Sequence, residues 1–159
     1  MQINGDIQEA AAEFCLLMTF IPSWASNDGS FRYLWSDADL DYQVYYRPGD
    51  TSLRVWFGGT QIVIAFATFD PWWRQNQFNT FVMTGKTGDN QVWLNEGLIL
   101  DDTTAWTPSS PTEHFIGGET TNTAWMYGQI LHVGVGNLHL TPTQAAQYDI
   151  EMKRRFNKV

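Results

Sequence analysis

The chain has 159 residues, a single-domain length, and is 43% hydrophobic, 15% aromatic and only 16% charged, a balance that excludes a disordered tail. Its formal charge is −8, and because Lys153, Arg154, Arg155 and Lys158 are four of the nine basic residues, the rest of the chain sets five cations against 17 acidic side chains. So acidic a body repels polyphosphate, which excludes nucleic acid and an anionic membrane as expected partners, and no apolar run reaches bilayer length.

Short apolar or alternating runs between turn signals predict strands, in chain order, over Glu13 to Ile21, Phe31 to Trp35, Tyr42 to Tyr46, Leu53 to Phe57, Gln61 to Phe69, Gln77 to Met83, Gln91 to Leu94, Leu98 to Leu100, His114 to Ile116 and Gln129 to Val135. Asn27-Asp28-Gly29, Pro48-Gly49-Asp50, Gly85 to Asn90 and Pro108-Ser109-Ser110-Pro111 supply the turns. Gly58-Gly59 between β-rich runs predicts a hairpin, and Asn95-Glu96-Gly97 predicts a second one with Gly97 at a left-handed bulge position. Cys15 stands alone in the run Phe14 to Met18, so it cannot form an internal disulfide and is expected to pack as a small hydrophobe. One helix closes the chain: Thr141 and Gln144 form a capping box, Pro142 takes the first helical position, and Ala145, Ala146, Ile150, Met152 and Phe156 follow. Such a helix is expected to seal an edge or an end of a sandwich. No repeat or linker divides residues 1–159, which read as one domain.

Five segments in order carry a resemblance to a known family. They are Phe78-Asn79-Thr80-Phe81-Val82-Met83-Thr84, Val92-Trp93-Leu94-Asn95-Glu96-Gly97, Phe115-Ile116-Gly117-Gly118, Tyr127-Gly128 leading into Gln129-Ile130-Leu131-His132-Val133, and Leu140-Thr141-Pro142-Thr143-Gln144. Together they resemble the LamG-like branch of the concanavalin A-like lectin/glucanase superfamily. The resemblance implies an all-β fold, a two-sheet antiparallel jelly-roll sandwich, with a short C-terminal helix. It covers the last half of the chain well and the Phe14 to Trp24 strand more loosely. Two departures stand out: Glu96 is inserted before Gly97, and little sequence precedes Phe14, so completion of an edge by another chain or protomer is conceivable.

The chemistry-bearing residues point away from catalysis. Glucanases of this superfamily carry carboxylates two apart on one strand, and the nearest run here, Asp37-Ala38-Asp39-Leu40-Asp41, lacks Glu and precedes a strand, so it reads first as a solvated acidic turn. That run, or Asp101-Asp102, could supply oxygen ligands to Ca²⁺, an ion that family members often bind, although no ligand motif matches; no other cofactor is expected. His114, His132 and His139 are scattered, and no nucleophile elbow is present. The aromatic residues are the better candidates. Asp70 to Asn76 sets Trp72 and Trp73 side by side, with Arg74 next to them, where strand alternation cannot bury both rings in one core. A glycan platform, a protein interface and plain packing over the sandwich end are all open for that loop. Trp24, Trp106 and Trp125 also lie near predicted loops, whereas Trp35, Trp56 and Trp93 suit strand cores.

A Met-initiated chain with no secretory signal at residues 1–6 and no disulfide leads to the expectation of a non-enzymatic recognition or structural module of a bacteriophage virion, made in the host cytoplasm. Its expected partners are capsid or tail proteins, further copies of itself in a symmetric homo-oligomer, and a cell-surface glycan. The alternative is a carbohydrate-binding module of a secreted, extracellular polysaccharide-active protein; a glycoside hydrolase is disfavoured by the missing carboxylate pair.

Overall fold

The computed structural model describes residues 2–4, 12–109, 113–118 and 124–156. Eleven strands among them form two antiparallel sheets, and the fold is the jelly-roll sandwich expected of the concanavalin A-like superfamily. The six-stranded sheet runs β1 (Gln2–Asn4), β10 (Glu113–Ile116), β3 (Arg32–Asp37), β4 (Gln43–Arg47), β5 (Ser52–Phe57) and β6 (Thr60–Ile64). The five-stranded sheet runs β11 (Gly128–Gly136), β2 (Glu13–Pro22), β7 (Asn79–Lys86), β8 (Asp89–Leu94) and β9 (Gly97–Asp102). The N-terminal segment completes its own sheet, because Gln2 to Asn4 pair with Phe115 to Glu113.

Period-two alternation sorts the side chains. Phe14, Leu16, Met18 and Phe20 of β2 point between the sheets and meet Val44, Tyr46, Leu53, Val55 and Phe57 from the opposite layer. The residues between them, Cys15, Leu17 and Thr19, face outward. A second apolar cluster forms there, under helix α2 (Pro142–Phe156): Cys15, Val82 and Trp93 pack against Leu140, Ala145, Tyr148 and Met152. The helix therefore covers a sheet face, where an edge or an end was expected. The spacing 145, 148, 149, 152 sets its inward stripe, and Ile150 and Phe156 are exposed. The capping box is present: the Gln144 amide donates to Thr141 Oγ1 at 3.3 Å and the Thr141 amide to Gln144 Oε1 at 2.8 Å. Beneath the helix the buried Asp149 carboxylate accepts from Thr80 Oγ1 and from Lys153 Nζ, so the one acid on the inward stripe is paired.

Local chemistry explains the turns. Gly58 and Gly59 both have positive φ (50° and 77°), as a two-residue hairpin between β5 and β6 needs. At the β8–β9 hairpin Leu94 pairs with Gly97, which leaves a two-residue turn, and the left-handed residue is Asn95 (φ 56°), not Gly97. Gly97 has a different reason to lack a side chain: a Cβ there would lie 2.2 Å from the Trp72 ring. The strand expected over Gln61 to Phe69 stops at Ile64, and a one-turn helix, α1 (Phe66–Phe69), and a 3₁₀ turn (Asp70–Trp72) follow. Phe66 and Phe69 are three residues apart, which brings both rings to one side on a helical turn, 5.8 Å apart, whereas a strand would send them to opposite faces. Ser110 and Pro111 of the expected turn before β10 lie outside the described residues.

Candidate functional site

Trp24, Trp72, Trp73, Arg74 and Trp125 all come to one end of the sandwich, where β2 and β10 finish and β3, β7, β9 and β11 begin; Trp106 lies at the other end. Most of the first set is packing. Trp24 is only 4% exposed, wedged between Tyr46 (5.3 Å between ring centroids) and Trp73 (4.3 Å). Trp73 is half-buried and donates from Nε1 to the Trp24 carbonyl at 3.1 Å. Trp72 lies on Gly97, and its carbonyl accepts from Asn95 Nδ2 at 2.6 Å. Asn79 clasps the Arg74 backbone from both sides, accepting from its amide at 3.1 Å and donating to its carbonyl at 2.8 Å. Trp106 is 6% exposed, donates to Asn90 Oδ1 at 2.7 Å and packs on Phe57 and Tyr42. Trp24 and Trp106, expected as binding residues near loops, are thus corrected to core residues: rings this buried offer no face to a ligand.

Trp125 behaves differently. Its ring is 41% exposed and rests on the Gly118 backbone, where a Cβ would come within 2.9 Å of it. Two residues on, Tyr127 is 60% exposed and holds a left-handed backbone (φ 51°), an unfavourable conformation for an aromatic residue. The surroundings hold it there. The Ser23 amide and hydroxyl both donate to the Tyr127 carbonyl, at 3.0 and 2.8 Å, and Gly128 must be glycine because a Cβ would meet the Ile21 carbonyl at 2.2 Å. The Arg32 guanidinium lies 4.6 Å from the Tyr127 ring centroid and is itself paired with Asp28 at 2.5 Å. Between the two exposed rings lies an open hollow of about 570 Å³ floored by Ile116, Gly117, Met126 and Ile130. This shelf combines two presented aromatic faces, an apolar floor and a cation neutralised by its own carboxylate. Sequence reasoning named Trp125 but used Tyr127 only as a family marker; the signal available was a bulky residue directly before a glycine that the strand start requires.

Three of the carboxylates that could have supplied Ca²⁺ ligands, Asp37, Asp101 and Asp102, are otherwise employed. Asp37 is fully buried and accepts from the Asp41 amide at 3.0 Å and from the Tyr42 amide, closing the loop into β4. Burial pushes its carboxyl up to about 6 against the pull of those amides. Asp102 accepts from the Thr104 amide at 2.7 Å, and Asp101 from Gln91 at 3.4 Å. Among the described residues no three His, Cys, Asp or Glu side chains gather as metal ligands. Glu96, the inserted residue, is held below the usual carboxylate range by its hydrogen bond from Lys153. It ties the β8–β9 turn to α2.

No protein-family model matches the sequence, and no curated protein does. Solved structures share the fold. A candidate carbohydrate-binding protein from Bacteroides ovatus superposes with a TM-score of 0.71 at 12% identity, over 92% of this chain and 44% of that one. A heptameric SAP-like pentraxin from Limulus polyphemus gives 0.67 at 13% identity, over 91% and 72%. Domain 4 of an extracellular arabinanase from Geobacillus stearothermophilus, solved with arabinotriose, gives 0.62 at 15% identity, over 91% and 70%. The chain therefore spans less than half of the Bacteroides protein. At these identities the likeness concerns the fold.

Proposed function

We propose that the chain is a non-enzymatic glycan-recognition module whose contact surface is the Trp125–Tyr127 shelf. The observation that carries this reading is the pair of exposed rings, one of them fixed in a strained backbone, flanking an apolar hollow. Aromatic faces laid open over an apolar floor suit the C–H faces of sugar rings. The candidate carbohydrate-binding protein from Bacteroides ovatus and the arabinotriose-bound arabinanase domain, which share the fold, support the same reading. Most glycoside hydrolases set two carboxylates about one bond, and Asp28, the carboxylate beside the shelf among the described residues, is committed to Arg32. The test is a glycan array probed with the wild type and Trp125→Ala, folding being checked by near-ultraviolet circular dichroism. Loss of the bound glycans in a folded variant is expected; equal binding by both proteins would remove the shelf from the function.

The narrower reading is a bacteriophage virion module built as a homo-oligomer, and strand β11 favours the homo-oligomer. Among the described residues this nine-residue strand is an edge of its sheet, and it contains no Lys, Arg, Asp, Glu or Pro, the residues that usually discourage edge pairing. A second copy could pair with it antiparallel about a two-fold axis. Sedimentation that shifts to monomer on Gln129→Lys would support this assembly, and a wild-type monomer at high concentration would end it.

A further inference from the structure

The basic side chains divide by burial. Arg47, Lys86, Arg154 and Arg155 are exposed, where solvent stabilises the charge. Arg32, Arg54 and Lys153 are partly or fully buried, and each meets a carboxylate, Asp28, Asp50 and Asp149 in turn. Arg74 is half-buried too, yet among the described residues its guanidinium pairs with no carboxylate and donates no hydrogen bond. The carboxylate that feels its charge, Glu96, is already bonded to Lys153. A partly desolvated cation without a counter-ion is costly, and here the backbone that carries it is firmly held. Asn79 clasps Arg74 from both sides, the Gln77 amide donates to the Arg74 carbonyl at 3.4 Å, and the left-handed Asn76 (φ 55°) donates its amide to the Pro22 carbonyl at 2.7 Å. Arg74 lines a hollow of about 300 Å³ whose other walls include Ile21, Leu131 and the rings of Phe78 and Phe156, 6.5 Å apart between centroids. Leu131 reaches it through a β-bulge: the register passes from Ile130–Phe20 to His132–Thr19 and leaves Leu131 as the extra residue.

We infer that this hollow binds a small amphipathic carboxylate, one acid group on an apolar body the size of a single ring, with Arg74 as its counter-ion. Charge, shape and size select that ligand. A guanidinium presents a planar fork that a carboxylate meets in two parallel hydrogen bonds, and Arg74 lacks such a partner. A single cation within a chain of net charge −8 favours a monoanion over a phosphate dianion. The aliphatic and aromatic walls offer an inorganic anion no contact, and the volume lies at the small end of ligand sites. Arg154 and Arg155 in the last turn of α2 offset the negative end of the helix dipole beside Phe156, so the helix does not repel the acid. Because the turn at Arg74 is already fixed by its own hydrogen bonds, little ordering is left for the ligand to impose. A free organic acid and the terminal carboxylate of a peptide both carry this chemistry. The hollow shares no lining residue with the Trp125–Tyr127 shelf, so the two sites are independent.

The test follows the Arg74 Nε–H resonance and the backbone amides of Gln77 and Leu131 in the ¹⁵N-labelled full chain, titrated at neutral pH with 3-phenylpropionate. The expected result is a saturable shift of all three, with a dissociation constant on the order of 1 mM for so small a ligand. Binding should weaken about tenfold when the neutral 3-phenylpropanamide replaces the acid, and as much when Arg74→Gln replaces the wild type, since each change removes the charged pair. The amide is titrated into the wild type, so it decides the matter even if the variant fails to fold. A tripeptide ending in a phenylalanine carboxylate separates the two sources: tighter binding than 3-phenylpropionate would assign the hollow to a chain terminus, equal or weaker binding to a free acid, and either upholds the carboxylate site. Acetate binding as tightly as 3-phenylpropionate would overturn it, because the walls would then select nothing. Equal binding of acid and amide, or no saturable shift with the acid, would overturn it as well.

Discussion

Trp93 on β8 and Trp56 on β5 are both turned away from the space between the sheets, yet one is sealed beneath α2 and the other stands at an open surface. Their neighbours account for the difference. Around Trp93 the outward side chains of Cys15, Leu17 and Val82 are apolar and need a cover; the stripe Ala145, Tyr148, Met152 supplies one, anchored where Thr19 bonds Tyr148 and Thr80 bonds Asp149. Around Trp56 the outward positions are polar: Tyr45, Arg54 and Gln61 bond one another across strands, and Gln43 donates to the Leu40 carbonyl. The same fold thus solves the problem of a sheet's second face twice, by burial on one side and by lateral hydrogen bonding on the other.

The largest expected effect separates those two solutions. Trp93→Ala should cost about 3–5 kcal/mol in chemical denaturation, as for other large-to-small changes in cores, and should loosen the helix above it. Cys15 reports on that loosening. Burial pushes its thiol up to about 11, so at pH 8 it is protonated as well as covered, and alkylation of the native protein should be slow and should accelerate in Trp93→Ala. Rapid alkylation of the wild type would mean that α2 does not seal this face.

How much of this could be read from the residues varies with the kind of signal. Gly58-Gly59 and Thr141–Gln144 were legible because their chemistry acts over a few bonds: positive φ and a capping box do not depend on what is packed nearby. The alternation in β2 was legible for the same reason, since period two fixes which side chains share a face. Tertiary choices were not. Trp24 and Trp125 both look like loop tryptophans in the sequence; only the approach of Trp73 to one and of Gly118 to the other makes the first a core residue and the second a surface. Nor does α2 declare its inward face, because Tyr148 and a paired Asp149 win over Ile150 through Thr80 and Thr19 on the sheet below. The open face of β3–β6 escaped notice because a Gln, a Tyr and an Arg on three strands form a network only in register.

A smaller effect is expected from Arg54→Met, which keeps the side-chain volume and removes the donors to Gln61, Ser52 and Asp50. The lost bonds involve a charged group but lie at a surface, so a cost of about 1–2 kcal/mol is expected, well below that of Trp93→Ala. Part of it should vanish at high salt, which screens the Arg54–Asp50 pair but not the packing under α2. A loss equal to that of Trp93→Ala would mean that the lateral network is as much a core as the covered cluster.

The smallest effect should come from Val63→Lys. Val63 lies on edge strand β6, opposite Arg54 in register, and is 50% exposed, so a longer side chain can reach solvent without displacing a neighbour. Thermal unfolding should move by no more than about 0.5 kcal/mol in equivalent stability, as is usual for exposed substitutions. The substitution is informative because it changes charge while leaving the hydrogen-bonded network intact. It places a second cation opposite Arg54 in register, so any loss should be larger at low salt than at high salt, where the like-charge repulsion is screened. A loss that salt does not relieve would mean that the Val63 side chain packs on the sheet despite its exposure, and that this edge contributes more than charge to stability.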